Sequence, residues 1–68
     1  MGAYLDNALE LLKDSEWHMI EEVKGEIPLQ KENFYKIIDI LHEYGFIDID
    51  NSTVRITSKG IKILELPV

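Results

Sequence analysis

Apolar and polar residues follow two rhythms in this chain, a helical one over most of its length and a strand-like one near the C-terminal end. Tyr4, Leu5, Ala8, Leu9, Leu11 and Leu12 span roughly 160° of a helical wheel, with Asp6, Glu10 and Lys13 opposite, which predicts a first helix over residues 3–13. Asp14-Ser15-Glu16 breaks that pattern, and Trp17-His18-Met19 reads as a very short strand. Ile20, Val23 and Ile27 then repeat at helical spacing, Gly25 marks the expected stop, and Pro28 places a turn over residues 26–29. Phe34, Ile37, Ile38 and Leu41 fall at i, i+3, i+4 and i+7, the core face of a third helix over residues 30–44. Gly45 suits the left-handed position just past that helix. Beyond it, Ile47-Asp48-Ile49-Asp50 and Val54-Arg55-Ile56-Thr57 alternate with a period of two, and Asn51-Ser52 between them tolerate a tight reversal. Thr57 is placed to cap a last, short helix whose Ile61 and Leu64 point inward.

Length and charge narrow what such a fold can be. At 68 residues the chain is one domain, and without cysteine it has no disulfide or thiolate-bound metal to hold it together. Its core must therefore pack efficiently, or a second subunit must add buried area. The breadth of the first-helix stripe fits either case. It is a helix packed deep in a thin domain, or a helix whose edge also meets another copy. In the second case Tyr4, Leu5 and Leu9, with Leu66 and Val68 of the apolar tail, form a homodimer interface. No apolar run approaches the roughly 18 residues needed to span a bilayer, and no secretion signal is visible, so a cytoplasmic protein that meets no membrane is expected. Thirteen acids against seven bases give a net charge of −6. Residues 1–34 hold eight acids and three bases, and residues 35–68 five acids and four bases. Positive surface is thus expected only toward the hairpin and the last helix.

Enzymatic and metal chemistry find no support. His18 and His42 lack the close ligand spacing of zinc motifs, and no metal or cofactor is expected. A calcium loop starting at Asp48 fails because its sixth position is Thr53 rather than glycine and its twelfth is Lys59 rather than glutamate. Ser15, Ser52 and Ser58 sit in no nucleophile pattern, and Gly25, Gly45 and Gly60 are too far apart to cradle a phosphate.

Taken in order, the elements resemble a winged helix-turn-helix domain of small archaeal and bacterial transcriptional regulators. That is an α+β fold with a three-helix core, a two-stranded wing and a short C-terminal helix. The likeness covers nearly the whole chain. It rests on Trp17-His18-Met19-Ile20-Glu21-Glu22-Val23, on the stretch from Leu41 to Ile47, and on Val54-Arg55-Ile56-Thr57-Ser58-Lys59-Gly60, whose Thr-Ser-Lys-Gly end is common in that family. The resemblance implies binding to double-stranded DNA, with the third helix in the major groove and the wing on flanking phosphates. Lys31, Asn33, Tyr35 and Lys36 then face the groove, and Arg55 and Lys59 the backbone. The residues themselves add an opposing expectation. The exposed face of the third helix carries Glu32, Asp39 and Glu43 around Lys36, which suits a basic protein partner and a protein-interaction module better than a polyanion.

Overall fold

The computed structural model describes residues 2–66. Seven elements follow one another: α1 (Gly2–Leu11), β1 (His18–Met19), α2 (Ile20–Glu26), α3 (Lys31–Glu43), β2 (Ile47–Asp50), β3 (Thr53–Ile56) and α4 (Ser58–Glu65). The domain is α+β, with four helices and one three-stranded antiparallel sheet in the order β1-β3-β2. β1 pairs His18 with Val54 and Met19 with Thr53. Across the hairpin, Ile47 faces Ile56 and Ile49 faces Val54 on the inner side, while Asp48 faces Arg55 and Asp50 faces Thr53 on the outer side. The alternation in sequence therefore becomes one packed and one wet face.

Local chemistry sets where the elements end. α1 is shorter than its apolar stripe. Leu12 and Lys13 donate to the carbonyls of Leu9 and Glu10 in a tightened last turn, and Ser15 then takes a left-handed φ of 65°. α2 runs one residue past Gly25 and closes where the Ile27 N–H donates to the Lys24 carbonyl. The N–H of Ile20, its first residue, donates to the Ser52 carbonyl in the hairpin turn, so α2 starts on the hairpin itself. Gly45 has φ +80°, the expected left-handed stop to α3, and Asn51 has φ 57° at the reversal.

All helices but α4, and both strands of the hairpin, contribute fully buried apolar side chains to one core. Phe34, Leu9, Leu12, Ile37, Leu41, Ile47 and Val54 are its largest members, and no polar or charged side chain among the described residues is buried with them. Removing the Phe34 ring would cost about 3–5 kcal/mol, comparable to the whole stability of a small domain. α4 packs Ile61, Ile63 and Leu64 against the core from outside. One expectation is corrected here. Leu9 is only 1% exposed, because α1 lies against both α3 and α4, and it has no surface left to offer a second chain. Tyr4 and Leu5 are half-buried against the same core, Leu66 is 62% exposed, and Val68 lies outside the described residues. No helix of the described residues is long and apolar enough to cross a membrane.

Candidate nucleic-acid interface

α3 turns Phe34, Ile37, Ile38 and Leu41 inward and leaves Lys31, Glu32, Asn33, Lys36, Asp39 and Glu43 exposed. Its first turn is open. Gln30 stands at the N-cap position but makes no side-chain capping bond, so no capping side chain meets the first N–H groups of the helix. Those groups, with Lys31 beside them, form a weakly positive end that an anion can approach.

Tyr35 is not a free side chain facing outward, as a place at a DNA groove would require. It is half-buried, edge-on to Phe34 with ring centroids 5.3 Å apart, and its hydroxyl donates to Glu21 Oε2 at 2.7 Å. Lys24 donates to the other oxygen of the same carboxylate at 3.3 Å. The Tyr35 hydroxyl, and after it Lys24, hold the Glu21 carboxyl below its ordinary value. The same carboxylate raises the Tyr35 phenol above its own. This three-residue link fixes the start of α3 against α2 across the intervening turn.

The two bases assigned to the DNA backbone are engaged within the domain. Arg55 lies 4.5 Å from the centre of the Trp17 ring and pairs with Asp48 at 3.6 Å, directly across the β2–β3 register. Lys59 donates to the Tyr44 carbonyl at 2.8 Å, and its ammonium stands 5.3 Å from the Phe46 ring centre. The rest of the Thr57-Ser58-Lys59-Gly60 segment works with it. Thr57 Oγ1 donates to the Gly45 carbonyl at 2.6 Å and accepts from the Gly60 N–H at 3.1 Å, while the Thr57 N–H donates to the Phe46 carbonyl at 3.0 Å. Three consecutive carbonyls after α3 are thereby satisfied by one tetrad, and the tetrad also caps α4. Gly60 is obligatory because a Cβ there would stand 2.4 Å from the Phe46 carbonyl oxygen. An open groove of about 550 Å³ runs past Ser15, Asp48, Arg55 and the tetrad residues Thr57, Ser58 and Lys59, but both of its cations are already held.

The bases are therefore sorted by place. Lys13 pairs with Glu10, Lys24 with Glu21 and Arg55 with Asp48, and Lys59 serves a carbonyl. Among the described residues Lys31, Lys36 and Lys62 have no ion-pair or hydrogen-bond partner, and two of these three lie on α3. Of the residues expected at a groove, Lys31, Asn33 and Lys36 are each exposed on the N-terminal half of α3, together with Glu32. Sequence reasoning missed Glu21 as the partner of Tyr35 and Asp14 as the partner of His18. Asp14 Oδ1 accepts from the Glu16 N–H at 2.9 Å and bonds His18 Nε2 at 2.8 Å. The His18 bond is the main reason its carboxyl titrates below the ordinary value. The Asp14-Ser15-Glu16 break was the only hint of this turn in the sequence. Compared with known proteins, the chain matches no family model, no curated protein and no solved structure.

Proposed function

We propose that the chain is a winged helix-turn-helix module that binds double-stranded DNA through the N-terminal half of α3. The observation that carries this reading is the sorting of basic side chains. Lys31 and Lys36 stand unpaired on the exposed side of α3, beside a helix start with no capping bond, while Arg55 and Lys59 are tied into the domain. Phosphate contacts then come from Lys31, Lys36 and the first-turn N–H groups, and Asn33 is the side chain suited to reading a base edge. The β2–β3 hairpin, the wing in this reading, adds shape but little charge. Two lysine contacts imply a salt slope of about −2 per subunit and weak affinity alone, so a homodimer using Tyr4, Leu5 and Leu66 is part of the proposal. Fluorescence anisotropy with a labelled duplex tests it. Binding should be salt-sensitive, and Lys36→Glu, which puts a fourth acid on that face, should remove it. Absence of binding by the wild-type chain at low salt would end the DNA reading.

A second reading is favoured by a specific observation on the same helix: Glu32, Asp39 and Glu43 are all exposed, and none has an ion-pair partner among the described residues. In that reading α3 binds a basic protein instead. Glu32→Lys with Glu43→Lys should then release the partner, and retention by the double variant would rule that face out.

A further inference from the structure

We propose that the groove between the end of α1 and α2 docks an apolar side chain from a basic segment of a partner protein, at a site separate from the exposed face of α3. The groove holds about 270 Å³ and is lined by Leu11, His18, Glu22, Val23 and Glu26. Leu11 and Val23 give it an apolar floor, and Leu11 remains 37% exposed at the last position of its helix. The volume is below the roughly 300–1,000 Å³ of small-molecule sites and suits a single inserted side chain.

Charge specifies the occupant. Glu22 and Glu26 rim the groove one helical turn apart, both exposed, and neither has an ion-pair or hydrogen-bond partner among the described residues. Like charges at this spacing destabilise a helix, and Glu26 stands in the last turn of α2, where an acid faces the negative end of the helix dipole. No lysine or arginine lines the groove, and the one titratable base there, His18, is turned onto Asp14. Lysines or arginines flanking an inserted leucine or methionine would relieve both strains at once. A second copy of this chain is a poor occupant of this groove, since none of its exposed large apolar residues among those described, Leu11, Trp17, Met19, Tyr44 and Leu66, has a lysine or arginine next to it in sequence. On α2 the neighbouring Glu21 points the other way, toward Tyr35 of α3, so the groove and the α3 face lie on different flanks of the same helix.

The probe is a fluorescently labelled synthetic amphipathic peptide of leucines and lysines, titrated with the 68-residue chain. Glu22→Gln with Glu26→Gln should weaken binding about tenfold, and Leu11→Ser should weaken it comparably. Asp6→Asn with Glu65→Gln removes the same charge elsewhere and should change binding less than about twofold. In the wild-type chain, amide shifts on adding peptide should centre on Leu11, His18 and Val23. Equal losses in the two charge-neutralised doubles would show that the peptide reads only net charge and would overturn the proposal. So would wild-type shifts centred on another face, or no binding. Thermal melts of each variant confirm that the chain is folded.

Discussion

The starts of α3 and α4 are built from similar parts and left in opposite states. Each begins after an extended residue, Gln30 before α3 and Thr57 before α4, and each carries a lysine in its first two positions, Lys31 on α3 and Lys59 on α4. At α4, Thr57 caps the helix, Lys59 turns back to the Tyr44 carbonyl, and Gly60 presses against the Phe46 carbonyl. At α3, Gln30 makes no capping bond and Lys31 has no ion-pair or hydrogen-bond partner among the described residues. A basic residue in the right part of a fold is therefore no guide to binding until its local partners are known. A lysine beside three orphan carbonyls is a cap; a lysine beside orphan N–H groups remains available to an anion.

Five substitutions test this contrast, beginning with the most destabilising. Gly60→Ala should cost about 3 kcal/mol in urea unfolding, since the added methyl meets backbone that cannot move without shifting α4 off the hairpin. The two caps should respond with opposite signs. Thr57→Ala removes a made cap and should cost about 1–2 kcal/mol, whereas Gln30→Ser supplies an absent one and should stabilise by about 0.5–1 kcal/mol. The lysines should also separate. Lys59→Met should lower stability by about 0.5–1 kcal/mol through the lost bond to Tyr44, and Lys36→Met should leave the unfolding midpoint unchanged.

The smallest effect concerns pH. Glu21 is held below its ordinary value of 4.5, so its contribution is present above that pH and is lost as pH falls through the lower folded value. Tyr35 is raised above 10.0, so its contribution is full below that pH and is lost as pH rises through the higher folded value. The stability advantage of the wild-type chain over Tyr35→Phe should therefore be a plateau between these limits and shrink at both ends. An advantage that does not vary with pH would mean that the Tyr35–Glu21 bond does not hold α2 to α3.

Much of the fold was legible because it is written in local periodicity. The i, i+3, i+4, i+7 spacing of Phe34 to Leu41 and the two-residue alternation around Asn51 both translate directly into buried faces. Even the short strand was visible at Trp17-His18-Met19, where β1 covers the last two residues. The Thr-Ser-Lys-Gly pattern was visible, but not its reason, which is a set of carbonyls contributed by the end of another helix. The candidate site was less legible for the same cause. Tyr35 meets Glu21 across 14 residues, and Lys59 meets Tyr44 across 15, so neither partner can be read from neighbours in sequence. Leu9 failed differently: a wide apolar stripe signals two contacts, and sequence does not say whether the second is α4 or another chain.

The salt dependence of duplex DNA binding, measured by anisotropy for the wild-type chain, Lys36→Met and Lys59→Met, separates the two helix starts. If DNA is held by the free bases of α3, Lys36→Met should flatten the slope by about one unit per subunit, and Lys59→Met should leave it unchanged. A slope that flattens with Lys59→Met and not with Lys36→Met would contradict the division between a binding α3 and a structural α4.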